Sequence, residues 1–466
     1  MKPILVLQMQ RMGDLILSFP LFLWLFRTYP GVPVWTVAEK VFFQGLMDVS
    51  PEVVYIPWDN YDFILKKKFF LVINLSHRRE AAWLTGKVDA EKKIGPYLDE
   101  NGCRYIAGKW QLYRASLVHN NRHNRFHWAD LNALDVVPYE VIQKTIWPGP
   151  RGLPRTEKKV GLFLGASEKS KRPSSRFWAM LARQLIKEGF RPVLLGGTLE
   201  KDLAERVKSV LGINLLDLTG KLTLSQLAKI GQTLQLLVTP DTGPMHLAAW
   251  TGLRVLNLSM GPVNPWETGP YQPGHIVTSA RISCSFCWQC KFNVALCKSK
   301  FHPRKINGLV IQLIRGNDIE EINGLRLYVS GRKEGLYHLA PYPLLRTSYF
   351  DSVSHLLNDL WYYFWGYYFG LWNEEKVIDI AKKLQNEYDL IHQRFVRYVS
   401  LLLHKINRLI KSNQVVSVDF WGCFPPMLRP ITSYLQVFWQ NCDFSAQSFK
   451  DSLQLLEKVY AVACKK

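Results

Sequence analysis

Long apolar runs are missing from this sequence: no clean stretch of 18 apolar residues occurs, so a helix spanning a bilayer is not expected. Cysteine is scarce, eight in 466 residues, which excludes a disulfide scaffold. Acid is in short supply as well. Against 59 Lys and Arg stand only 38 Asp and Glu, a formal charge of +21 that points to an anionic partner: nucleic acid, nucleotide or an acidic membrane surface. No nucleic-acid recognition motif accompanies the charge, so nucleic acid is not the expected partner. The start, MKPILVLQMQRMGD, carries one lysine before a short apolar run; charge returns at Arg11 and no small-residue cleavage site follows. A signal peptide is therefore not expected, and a cytoplasmic location is the simplest expectation.

What is present is ordinary globular material, 48% hydrophobic and 21% charged, long enough for two or three domains. Residues 4–8 (ILVLQ), 32–37 (VPVWTV), 53–58 (VVYIPW) and 69–75 (FFLVINL) read as strands. Their near-continuous apolarity predicts a parallel sheet buried on both faces. The same grammar restarts at Val160 with VGLFL, a polar loop, a helix FWAMLARQLIKEG, then RPVLLGG, LQLLV and RVLNLS with helices between. The Pro- and Gly-rich stretch 147–159 is the natural linker. The spacing predicts an α/β chain of two doubly wound, Rossmann-like domains, 1–150 and 151–300, whose facing strand ends form a cleft. Residues 301–466 read as a mainly helical extension. Within it a single amphipathic helix is predicted from Asn373, its cap, to Lys411, with a stripe running from Val377 through Tyr388 to Leu409. The aromatic run 360–372 reads as core in preference to a membrane belt.

Three loops carry chemistry. The apolar run LQLLV stops at Pro240, and Asp241, Thr242 and Gly243 lead straight into a helix bearing His246 one turn in. Such a turn points unpaired N–H groups and the positive end of a helix dipole at a ligand; Gly243 permits close approach and Thr242 adds a hydroxyl. The alternative is that Asp241 caps the helix and His246 packs in the core. The loop GASEKSKRP opens with Gly165, Ala166 and Ser167, whose amides are accessible, followed by Lys169, Lys171 and Arg172. In QMQRMGDLILSFP, Gly13 and Asp14 end a buried strand and precede an apolar helix, which sets a carboxylate against the cleft from the other half.

RMGDLILSFP, GASEKSKRP, GGTLEKDLAERV, LTGKLTLSQLA, DTGPMHLAAWTG and GPVNPWETGP follow one another as in the ADP-heptose:lipopolysaccharide heptosyltransferases, which the first 300 residues resemble. The resemblance implies the GT-B fold and inverting transfer from an ADP-sugar to an anionic lipopolysaccharide core, on the cytoplasmic face of the inner membrane. It implies that Asp14 is the general base. Donor contacts would come from Gly165, Ala166, Ser167, Lys171, Asp241, Thr242, Gly243 and His246, with Glu200 on the ribose and Leu222 beside adenine. Gly13, His77 and Arg78 would face the acceptor. No metal or other cofactor is expected for the reaction.

The sequence departs from the family where Lys171-Arg172-Pro173 replaces Lys-x-Trp-Pro, and in the length after residue 300. Cys284, Cys287, Cys290 and Cys297 form a C-x2-C-x2-C-x6-C array that fits neither a standard zinc nor an iron–sulfur spacing; reduced structural thiols are the favoured reading. Basic and aromatic clusters at 64–70, 76–80 and 119–128 are expected on the surface, where acidic core sugars or lipid headgroups would dock. Rival readings are a transferase of another nucleotide sugar and a catalytically silent scaffold of the same fold.

Overall fold

A computed structural model describes residues 1–153, 156–319, 321–342, 349–412, 416 and 418–465. The chain divides into two compact units, Met1–Lys93 with His127–Leu345, and Ile94–Phe126 with Arg346–Lys466.

The first unit holds two sheets. Strands β1 (Ile4–Leu7), β2 (Val34–Ala38), β3 (Val54–Pro57) and β4 (Lys68–Asn74) lie parallel in the order β3-β2-β1-β4. β5 (Asp89–Leu98) starts in this unit and, from Ile94 on, belongs to the second, where it pairs antiparallel with β6 (Arg104–Ala107). The other sheet begins with β7 (Lys159–Phe163), β8 (Arg191–Leu195), β9 (Leu216–Asp217) and β10 (Leu236–Pro240). It is completed by β11 (Val255–Ser259), β12 (Ile276–Ala280), β13 (Leu325–Lys333) and β14 (Leu336–Pro341). Its order is β14-β13-β12-β11-β10-β7-β8-β9, with the β12–β13 and β13–β14 pairs antiparallel and the other pairs parallel.

The doubly wound expectation is met in both halves. β1, β10, β11 and β12 are buried along their whole length, as continuous apolarity requires. Helix Ser175–Lys187 shows the amphipathic counterpart: Ser174 Oγ accepts the Phe177 N–H at 3.1 Å, and Phe177, Trp178, Leu181 and Leu185 turn into the core. Each fully buried Leu or Ile contributes about 1.5–3 kcal/mol. The linker region is held in place. Arg151 N–H donates to Gly252 O at 2.9 Å, and the Trp147 ring meets those of Trp24, Trp250 and Tyr271.

Past residue 300 the chain is not helical throughout, because the β13–β14 hairpin extends the second sheet. A buried carboxylate ties it down: Asp130 accepts from the Tyr271 hydroxyl at 2.6 Å and from the Tyr337 N–H at 2.9 Å, and the Arg332 guanidinium lies over the Tyr271 ring.

The second unit is mainly helical. The helix expected from Asn373 to Lys411 is instead two, Glu375–Glu387 and Asp389–Ser412, and the N-cap is Glu374. Tyr388 leaves helical geometry at φ −142°, ψ 54°, so the two helices pack on each other and on helix Ala446–Cys464. A 3.6-residue stripe continues across such a break, which is why periodicity alone joined them. The aromatic run is core, as favoured: Trp361, Phe364 and Trp365 are fully buried, and Trp365 meets Tyr113, Phe369 and Tyr434. Among the described residues no helix is long and apolar enough to cross a membrane.

The cluster 119–128 is not the exposed patch expected. His123, Asn124, Arg125, Phe126 and His127 are buried. His123 Nδ1–H donates to Asn358 Oδ1 at 2.6 Å and the Phe126 ring sits 4.6 Å from that of Tyr362, so the aromatics carried these polar groups inside.

Candidate active site

Sheet topology places the three loops. In the first sheet the strand order reverses between β1 and β4; in the second it reverses between β7 and β10. Ligands of open α/β sheets bind outside the carboxyl ends of strands at such points. The loop after β1 leads into helix Met12–Ile16, which carries Gly13 and Asp14; that after β4 carries His77 and Arg78, that after β7 Gly165–Lys171, and that after β10 Asp241 and Thr242, with Gly243 opening the next helix.

The two sheets of the unit meet through glycine. A Cβ on Gly13 would lie 3.2 Å from His246 Cδ2 and 3.3 Å from Gly243 Cα; one on Gly243 would lie 3.3 Å from Gly13 N. Only residues without side chains let helices Met12–Ile16 and Gly243–Trp250 approach this closely. Asp14, half-buried, is thereby set beside the Thr242–Gly243 turn, its Oδ2 accepting the Arg11 N–H at 3.1 Å.

A cavity of about 530 Å³ opens at this junction. Of the expected donor residues, Gly165, Ala166, Ser167, Glu200, Leu222 and Thr242 line it. Glu200 reaches over the loop after β7: its Oε2 accepts the Gly197 N–H at 2.9 Å, and a Cβ on Gly165 would lie 2.7 Å from its Oε1.

Lys171, Asp241, Gly243, His246, Gly13, Asp14, His77 and Arg78 are not among the lining residues. Asp241 does not cap the helix; Thr242 occupies the N-cap position and Asp241 Oδ2 pairs with Lys171 Nζ at 3.4 Å. Lys171 is also 3.9 Å from Glu168, so its ammonium is held by carboxylates and does not line the cavity. His246 is buried, its Nδ1 has no hydrogen-bond partner among the described residues, and burial pulls its pKa down to about 4, the Asp241 charge opposing and the Lys171 charge adding. It is neutral at physiological pH and packs against Gly13. The alternative that His246 is a core histidine holds for its burial. His77 is exposed, with its ring edge-on to Trp128 at 6.0 Å, and Arg78 is paired with Glu39; neither lines the cavity.

Sequence reasoning passed over Arg11 and Met12 as lining residues, whereas Arg172, read with Lys169 and Lys171 as a basic residue of the loop after β7, does line the cavity. Arg11 Nη1 donates to Ser167 Oγ at 3.0 Å across the two sheets, and Arg172 is bonded to the carbonyls of Ala166 and Ser167. The available signal for Arg11 was its place three residues before Asp14.

All eight cysteines are free thiols. Cys297 Sγ accepts the Gly261 N–H at 3.2 Å, and burial raises the thiols of Cys287 and Cys297. Among the described residues no group of three or more His, Cys, Asp or Glu is gathered to hold a metal ion.

Comparison with known proteins follows the same lines. A family described as glycosyltransferase family 9 (heptosyltransferase) matches residues 64–295. The crystal structure of the glycosyl transferase family 9 from Veillonella parvula DSM 2008 aligns at 21% identity and a TM-score of 0.54, over 68% of this chain and 98% of that one. The structure of E. coli ADP-heptose lps heptosyltransferase II aligns at 19% identity and a TM-score of 0.51, over 67% and 99%. At such identities the likeness shows the fold. A search of curated proteins finds no match. Residues 64–295 thus match glycosyltransferase family 9 (heptosyltransferase), and the two facing sheets are those of the GT-B fold.

Proposed function

We propose that this chain is an inverting glycosyltransferase that moves heptose from ADP-heptose to a hydroxyl of an anionic lipopolysaccharide core. The observation that supports this reading is the contact of Gly13 with Gly243, which brings the turn bearing Asp14 against the turn of Thr242; Arg11, Met12 and Thr242 line a cavity of about 530 Å³, and Asp14 stands next to that lining in the chain without being part of it. Asp14 precedes the stretch matched to the family, so its role rests on that placement.

In this reading the cavity takes the ADP portion, with Glu200 accepting from the ribose hydroxyls and Leu222 against adenine. The Gly165–Ser167 loop and the Thr242–Gly243 turn present amides to the diphosphate. The acceptor oxygen attacks the anomeric carbon from the face opposite the nucleotide. Its proton passes to the Asp14 carboxylate as the new C–O bond forms; the bond to the diphosphate breaks and ADP leaves with the electron pair. Fixed amides and the cations of the chain meet the growing negative charge, and no protein-bound metal is invoked. Lys171, held by Asp241, stabilises the turn from behind and supplies positive charge at longer range. His77 and Arg78, beside the end of β4, take the acid groups of the acceptor. The protein works in the cytoplasm, peripheral on the inner membrane face.

The test is Asp14→Asn. Transfer is expected to fall by about 10²–10⁴-fold, the usual worth of a general base, while ADP-sugar binding stays within threefold. Incubation with ADP-, UDP- and GDP-sugars identifies the donor; a wild-type chain that binds donor and transfers nothing to any acceptor would instead support the silent scaffold.

A further inference from the structure

We propose that Arg11 binds the diphosphate of the donor from the sheet opposite the donor loops, and in doing so couples donor occupancy to the position of Asp14. The inference rests on the nucleotide-sugar reading above.

Arg172, the other cation of the lining, and Lys171 beside it in the chain are already engaged. Lys171 is paired with Asp241 and Glu168, and Arg172 donates to the carbonyls of Ala166 and Ser167. Arg11 lines the cavity and is exposed; among the described residues its guanidinium has one side-chain partner, the neutral Ser167 hydroxyl at 3.0 Å, and no carboxylate. A guanidinium presents several N–H groups in a planar fork suited to phosphate. Exchanging a hydroxyl acceptor for a phosphate oxygen makes the hydrogen bond charge-assisted, roughly twice as strong. Ser167 sits on the loop after β7, whose first residues line the same cavity, so the exchange needs only a short swing of the side chain.

The coupling follows from the backbone. The Arg11 N–H donates to Asp14 Oδ2 at 3.1 Å, and Arg11 is the N-cap residue of the helix that carries Asp14. A guanidinium anchored on diphosphate fixes that turn, and with it the carboxylate. The Ser167 hydroxyl that the guanidinium bonds in this structure is the acceptor that the anion replaces.

The experiment compares wild type, Arg11→Ala and Arg11→Lys in calorimetric binding of ADP and of adenosine, and in transfer at saturating donor, with melting temperatures of the free proteins as a fold control. Arg11→Ala should weaken ADP about 10–100-fold, the worth of hydrogen bonds to a charged group, leave adenosine unchanged and lower kcat at least about tenfold. Arg11→Lys should recover part of the ADP affinity, as a point charge without the fork. Unchanged ADP affinity in Arg11→Ala, or equal losses for ADP and adenosine, overturns the assignment; an unchanged kcat overturns the coupling to Asp14. If wild type binds UDP or GDP in place of ADP, the donor reading fails, and the same comparison with that diphosphate and its nucleoside decides on Arg11. Wild type binding no nucleoside diphosphate overturns both.

Discussion

At the scale of single residues, the site is built on absence of side chain. Gly13 and Gly243 touch, and the His246 ring closes the space beside them. Gly13→Ala adds a methyl 3.2–3.3 Å from that ring and from the Gly243 backbone, so helix Met12–Ile16 must move by a few tenths of an ångström. Displacements of about 1 Å near reacting groups can cost 10²-fold in rate. Gly13→Ala is therefore expected to lower kcat about tenfold or more while the melting temperature moves by only a few degrees; a fully active variant would show that the contact does not position Asp14. The residue identities of this junction were legible in the sequence, since Gly, Asp and Thr at the ends of apolar runs have few other uses. The pairing of Lys171 with Asp241 was not, because the two lie 70 positions apart and meet only when β7 and β10 become neighbours.

At the scale of elements, close packing explains the aromatic segment of the second unit. Gly366 lies in helix Tyr349–Tyr368, and a Cβ there would fall within the indole of Trp372, whose Nε1 donates to Tyr363 O at 2.7 Å. Gly→Ala in a helix interior ordinarily gains about 1 kcal/mol. Here the indole must leave its place, at an overpacking cost of about 1–3 kcal/mol and with loss of a hydrogen bond of about 1 kcal/mol. Gly366→Ala is thus expected to lower the melting temperature and shift tryptophan fluorescence; a rise in melting temperature would mean that the ring is not seated there. Strand positions were readable because buried parallel strands leave unbroken apolar runs. The break at Tyr388 was not, because two helices folded against one another keep the stripe that one long helix would have.

At the scale of the whole molecule, buried histidines set the response to acid. Burial lowers His123 and His246 from 6.5 to about 4 and His275 to about 3, and His127 also lies well below 6.5. Below pH 6.5 the unfolded chain takes up protons that the folded chain refuses, so their contribution is whole above pH 6.5 and is lost as pH falls towards 4 and 3. Each adds a slope of about 1.4 kcal/mol per pH unit inside that window. Asp130, raised by burial, acts in the opposite sense in the carboxylate range. The melting temperature should fall steadily from pH 7 to 4.5. His275→Gln, whose parent ring accepts the Val255 N–H at 3.2 Å, should make that fall shallower; an identical slope in the variant would remove His275 from the account.

The local chemistry of this protein, strands, turns and the glycine and acid at each turn, was determined by the sequence, because those choices depend on neighbours a few positions away. Which cations remain available, which histidines are neutral, and whether a basic run such as 119–128 meets water or a packed interior were decided only by the tertiary structure. Charge and burial depend on residues far along the chain, and a side chain's partners exist only once the sheets have closed on one another.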